Sequence, residues 1–323
     1  MKIGLYSITY LGLWYRGPAL TLEEVIGRAR AYGYDGVEID GKRPHGDPLD
    51  LPGDRCRELR QRAADAGVEI YAVAANNDFS SPIPEYRESQ LVYMRELIRM
   101  AADLGVKTLR VFAAWPGVTL SPEGARYTIA RQMWREAHLH FAEGQTWTWC
   151  CDALREAARW AGDAGVTLAL QNHPPVTNTP DDMLRMIHDV ASPHVQACLD
   201  APLAARQGVT SMQAAARAVG ARQVLSHFGG EYEQAADGSV RGNVRNPDLT
   251  LTRETYYADF VQGMQEIGYE GYLGYELCHP LPPVNGEPAG LDFADTNARL
   301  AAEYMRGIIR NAKRPQVETV QAE

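Results

Sequence analysis

The chain has 323 residues, 45% hydrophobic and 23% charged, with 32 Lys and Arg against 41 Asp and Glu for a formal net charge of -9. That length buries one large core or two small ones, and an acidic balance without Lys/Arg runs disfavours a phosphate-backbone partner, so no nucleic acid is expected. Cys56, Cys150, Cys151, Cys198 and Cys278 are odd in number and lack CxxC spacing; a disulfide framework or zinc knuckle is not expected, and a reducing compartment, the cytoplasm, is.

The opening KIGLYSITYLGLWYRG is apolar, yet it carries tyrosines, Thr9 and Gly4 and lacks a small-residue cleavage site. It reads as a first strand near Lys2 rather than a signal peptide. No run of about 18 apolar residues follows anywhere, which excludes a membrane-spanning helix on length. TLEEVIGRARAYG reads as a helix with Thr21 as N-cap, and Arg55 to Gly67 as another. From there one unit recurs, a helical stretch closing on a small residue and Gly before a short β-branched run. It appears in AYGYDGVEI, ADAGVEIYAV, AADLGVKTLRVF, AGDAGVTLALQ, AVGARQVLSHF and EIGYEGYLGYE. The glycine suits a left-handed helix end and the next residues have strand composition. With HVQACLD after Ser192-Pro193, eight strands are predicted, beginning near Lys2, Gly36, Val68, Thr108, Val166, Val195, Gln223 and Gly271.

Eight strands each followed by a helix fit a single closed (β/α)8 TIM barrel over residues 1–312. A doubly wound sheet is the runner-up, weakened by the absence of a glycine-rich phosphate loop after any strand. Long loops follow strand 4 (Ala113 to about Thr148) and strand 7 (Gly229 to about Leu251). In a barrel both stand over the catalytic mouth. No domain boundary is visible, and residues 313–323 are expected to be a disordered tail with little to bury.

In a parallel barrel every strand end reaches one rim, so Asp200 (VQACLD), His227 (VLSHF) and Glu276 (YLGYE) converge although 27 and 49 residues separate them. Carboxylate, imidazole and carboxylate suit a divalent cation, Mn²⁺ or Mg²⁺ first, with Zn²⁺, Co²⁺ or Fe²⁺ as alternatives. A fourth strand end offers Gln171 where a carboxylate would complete the set. Its carbonyl oxygen can ligate, but an amide takes no proton near neutrality. His173 shares a face with Gln171 by strand alternation and is the expected base. His140, in the long fourth loop, is a second candidate, and Glu143 nearby is a carboxylate that could replace the missing ligand. His45, Asn76, Trp115 and Asn172 are expected substrate contacts, since amides and aromatic rings line sugar sites. Asn77, Tyr10, Trp14 and Trp147 are further rim candidates.

On LALQNH, CLDAP, SHFGGE and IGYEGYLGYE, the chain resembles the xylose-isomerase-like TIM barrels, which include sugar isomerases, ketose epimerases, inosose dehydratases and the endonuclease IV type. The resemblance implies one cation held by Gln171, Asp200, His227 and Glu276, with Gln171 departing from the family's glutamate. In the family's ketose epimerases the two metal-bound glutamates are also the acid/base pair; the departure leaves Glu276 and disfavours two-base epimerisation. Single-base isomerisation, dehydration or elimination stays open. LYSITYLGLWYRG, DGKRPHGDPLD and QNH look similar to the large subunit of C-glycoside deglycosidases. That resemblance implies a Mn²⁺-type lyase cleaving 3-oxo-C-glycosides by elimination, with a small β-sandwich partner subunit and an oligomeric assembly. The alternatives are a keto-sugar or inositol isomerase, epimerase or dehydratase, and a non-catalytic sugar-binding barrel.

Overall fold

Glycine-ended helices alternate with short apolar strands throughout, and the strands find each other in chain order. The computed structural model describes residues 1–312 except 122, 123, 247, 249 and 285; the predicted tail lies outside the described residues. The barrel strands are β1 (Lys2–Tyr6), β2 (Gly36–Asp40), β3 (Glu69–Ala74), β4 (Thr108–Val111), β5 (Thr167–Gln171), β6 (Val195–Cys198), β7 (Gln223–Gly229) and β8 (Tyr272–Glu276). Each pairs in parallel with the next, and β8 closes on β1 through Lys2↔Tyr272 to Leu5↔Tyr275. The predicted (β/α)8 barrel is therefore the fold, with every strand start within one residue of its expected place.

Helices α1 (Leu22–Ala31), α2 (Gly53–Asp65), α3 (Pro84–Asp103), α4 (Tyr127–His138), α5 (Glu143–Asp163), α6 (Pro180–Val190), α7 (Ala201–Arg206), α8 (Met212–Val219), α9 (Tyr257–Glu266) and α10 (Leu291–Asn311) follow the strands. Thr21 caps α1 as predicted: its Oγ1 accepts from Glu24 N at 3.2 Å while Glu24 Oε2 accepts from Thr21 N at 2.7 Å, a reciprocal arrangement that satisfies two orphan donors. Gly67 and Gly268 leave α2 and α9 at φ +68° and +70°, the left-handed turn that the repeated helix-glycine-strand pattern implied.

The main core, including Ile3, Leu5, Val37, Val73, Leu109, Leu168, Val195 and Leu273, lies between strands and helices. A second, small core fills the barrel: Tyr71, Ala72, Ala169, Cys198, Leu225 and Tyr272. Tyr71 arrives there because the β2–β3 register skips it, pairing Val37↔Ile70 and then Glu38↔Ala72; such a bulge re-aims one side chain. Its ring stacks on Tyr272 at 3.9 Å. Gly4 makes room, since a Cβ there would lie 2.2 Å from the Tyr71 ring.

The long loops stand where expected. After β4 a hairpin (Thr119–Ser121 with Gly124–Arg126) leads into α4, and after β7 comes a three-stranded sheet (Glu231–Gln234, Val240–Arg245, Leu251–Arg253). Both touch the segment leaving β8: Tyr127 Oη donates to Cys278 O at 2.6 Å, and His279 Nε2 lies 2.9 Å from Glu231 Oε1. No helix among the described residues is long and apolar enough to cross a membrane.

Candidate active site

Strand alternation sends every second residue into the barrel, and near the C-terminal rim that phase is polar. It carries Tyr6, Glu38, Asp40, Arg110, Gln171, His227 and Glu276, with Asp200 just past β6. All but Glu276 are at least nine-tenths buried; Glu276 is half-buried.

Arg110 organises the group. Its Nη1 donates to Gln171 Oε1 at 2.8 Å and its Nη2 to Tyr6 Oη at 2.7 Å, while Nε lies 3.6 Å from Glu38 Oε1. The guanidinium also lies over the rings of Phe112 (4.5 Å) and Tyr6 (5.1 Å). Tyr6 Oη in turn donates to Asp40 Oδ2 at 3.0 Å. The far end of the Gln171 amide turns the other way: Nε2 donates to Asp200 Oδ2 at 2.8 Å and lies 3.4 Å from His227 Nδ1. His227 Nε2 meets Glu38 Oε2 at 2.8 Å, and Tyr71 Oη donates to the same oxygen at 3.2 Å. Asp200 is set by its neighbours: Asn172 Oδ1 accepts from its backbone N–H (2.7 Å), and its own Oδ1 accepts from Leu203 N at the start of α7 (2.8 Å).

Charge state follows burial and partners. Burial pushes the Glu38 carboxyl up, but His227 and Arg110 outweigh it and hold its pKa below the ordinary range. Burial opposes charge on His227, yet the carboxylate of Glu38 and the Cys198 thiol carry its pKa well above that of a free imidazole. Asp200 is raised, by burial first and then by the charge of Glu276.

A cation at this rim would need Gln171, Asp200, His227 and Glu276 to turn donor atoms on one point. They do not. Gln171 spends its carbonyl oxygen on Arg110 and places an N–H between Asp200 and His227, whose Oδ2 and Nδ1 are 3.8 Å apart. Among the described residues no three His, Cys, Asp or Glu side chains are grouped to hold a metal ion. In this arrangement the Gln171 amide N–H stands between Asp200 Oδ2 and His227 Nδ1, so the four side chains as placed do not offer the donor set expected for Mn²⁺.

The other expected residues divide. His173 is at the site: it packs edge-on against Phe112 (4.8 Å) and Trp115 (4.9 Å), its Nδ1 donates to Pro174 O at 2.6 Å, and burial pushes its pKa down to about 3. The ring is thus neutral, with its lone pair on Nε2. Trp115 also meets Tyr127 of α4 (5.8 Å), as does Trp14 (5.0 Å). Asn76 donates to Asp40 Oδ1 at 2.7 Å. Asn172 fixes Asp200 and holds Gln207 (2.9 Å), and buried His45 turns Nε2 on Leu20 O (2.9 Å), so both act as framework. Asn77 clamps the Phe112 backbone, Tyr10 donates to Asp295, and Trp147 packs between α5 and α6 with its N–H on Asp189. His140 and Glu143 are exposed and do not join Gln171 and Asp200. Glu38, Asp40, Tyr6 and Arg110 were missed. Their signal was a charged residue inside an apolar strand, in GVEID and TLRVF, where burial demands a partner.

The family model for the xylose isomerase-like TIM barrel matches residues 26–306. No curated protein matches the chain. Among solved structures, the D-psicose 3-epimerase from Clostridium cellulolyticum H10 is 18% identical with a TM-score of 0.68, covering 96% of this chain and 99% of that one. An L-ribulose 3-epimerase is 19% identical, TM-score 0.67, covering 100% and 98%. The 3-keto-D-glucoside 4-epimerase of E. coli is 18% identical, TM-score 0.65, covering 95% and 99%. At these identities the likeness is one of fold.

Proposed function

For a chain that belongs to the xylose isomerase-like TIM barrel family, we propose an enzyme of the isomerase and epimerase class that moves a proton alpha to the carbonyl of a keto sugar. The observation that carries the reading is Glu276, a half-buried carboxylate at the rim among fully buried Glu38, Asp40 and Asp200. A base must reach the carbon it deprotonates, and Glu276 is the acid side chain of this group that keeps access. The structural neighbours named above are described as epimerases of keto sugars, which supports the substrate class. Trp115 and Tyr127 supply ring faces for the sugar, and Asn76, with Lys42 Nζ 3.4 Å from its Oδ1, hydroxyl contacts. His173 offers its Nε2 lone pair as the second group, a weak base because burial disfavours its cation.

Gln171 favours a second reading. Tied at both ends, it neither gives nor takes a proton, so single-base chemistry is preferred, and elimination from a 3-oxo-C-glycoside, with or without a β-sandwich partner subunit, uses the same first proton transfer. No step in either reading is routed through a metal.

One experiment covers both. The protein is incubated in D₂O with D-fructose, D-psicose, L-ribulose, a 3-keto-glucoside and a 3-oxo-C-glucosyl flavonoid, with EDTA or with Mn²⁺. Deuterium at the alpha carbon is followed by NMR and aglycone release by chromatography. Exchange that disappears in Glu276→Gln is expected; no exchange and no release with any substrate sinks the reading, and sugar binding without exchange leaves a non-catalytic barrel.

A further inference from the structure

We propose that Arg110 is a resident cation that takes the place of a divalent metal in this barrel, with Gln171 as the adaptor joining it to Asp200. Residue 171 has two unlike neighbours to satisfy. On one side it meets a guanidinium Nη1 at 2.8 Å; on the other it meets Asp200 Oδ2 at 2.8 Å and His227 Nδ1 at 3.4 Å. Guanidinium offers only donors and an ionised carboxylate only acceptors. A primary amide presents one acceptor and one donor end, so it bridges the two with both ends used. A glutamate at 171 would pair with Arg110 but turn its second oxygen on Asp200, oxygen against oxygen, and would need a cation between them. The amide therefore belongs with the arginine, and the pair forms one electrostatic unit.

The unit is built into the core. Arg110 is 4% exposed, is held between the Tyr6 and Phe112 rings, and faces Glu38, which is fully buried and carries His227. Arg110 Nε and Glu38 Oε1 have no hydrogen-bond partner among the described residues and face each other at 3.6 Å. That charge contact gives Glu38 a positive partner inside the barrel. A divalent ion entering beside it would meet a fixed positive charge, and it would have to pull the Gln171 amide off Asp200 and leave a buried guanidinium N–H unpaired.

The test does not depend on any substrate. Wild-type protein, Gln171→Glu and Arg110→Met/Gln171→Glu are loaded with Mn²⁺ and desalted. Retained metal is counted by mass spectrometry, and Mn²⁺ affinity is measured by electron paramagnetic resonance. Wild type is expected to keep far less than one equivalent. The double variant, which restores the carboxylate and removes the competing charge, is expected to bind about 10- to 100-fold more tightly, with Gln171→Glu in between. Wild-type protein that retains one equivalent of Mn²⁺ overturns the proposal, whether or not the variants fold. So does a folded double variant, judged by circular dichroism, whose affinity equals that of wild type.

Discussion

Replacing Arg110 with methionine keeps much of the side-chain volume and removes the charge. Gln171 Oε1 then loses its donor, Tyr6 Oη loses the Nη2 contact, and Glu38 keeps its charge with only His227 and Tyr71 beside it. Removing one partner from a buried charged network costs about 3–5 kcal/mol, because the remaining charge stays desolvated. Unfolding entropy near 2.1 cal/mol/K per residue gives about 0.7 kcal/mol/K for a chain of this length, so the melting temperature should fall by about 4–7 °C. Lysine at 110 keeps the charge and loses the planar fork, and should fall between wild type and Met. Scanning calorimetry reads the shift, and a double-mutant cycle with Glu38→Gln reads its origin. If the uncompensated carboxylate is the cause, the double variant loses less than the sum of the singles. A melting temperature for Arg110→Met within about 1 °C of wild type, or strict additivity with Glu38→Gln, would refute the network.

Two further outcomes follow from packing and charge. Gly4→Ala places a Cβ 2.2 Å from the Tyr71 ring, and overpacking of this kind costs about 1–3 kcal/mol; Gly4→Ala/Tyr71→Ala should lose less than the two single losses added together, and additive melting shifts would show that the clash is not the cause. At the rim, burial raises the Glu231 carboxyl, but His279 and Arg245 lower it further, so its folded pKa lies below the ordinary value. The unfolded value is about 4.3, so this stabilisation is fully present above it and is lost as pH falls through the lower folded value. Denaturant titrations of wild type and Glu231→Gln should therefore differ most above about pH 5 and converge toward acid; a gap that widens on acidification contradicts the pairing.

Much of the architecture was legible locally. Helix-glycine-strand units such as ADAGVEIYAV and EIGYEGYLGYE carry their own turn, cap and strand signals within about ten residues, so strand starts and the two long rim loops were placed without tertiary information. The inward phase of Gln171, His227 and Glu276 followed from the same alternation, because the side-chain period of a strand is fixed by its backbone. What such signals omit is which polar groups meet inside the barrel. Glu38 and His227 are 189 residues apart and Arg110 and Gln171 are 61 apart, and no local pattern links them.

By itself, then, the sequence determined the barrel and the polar rim, since both depend on propensities and periods that act over a few residues. The tertiary structure alone decided what the rim is made of. Closing eight strands brought a guanidinium from β4 beside an amide from β5, and once buried together each group had to find its complement. That requirement turned the Gln171 amide toward Asp200, and joined Tyr6, Glu38, Arg110, Gln171, Asp200 and His227 in a hydrogen-bonded charge network that no strand end shows by itself.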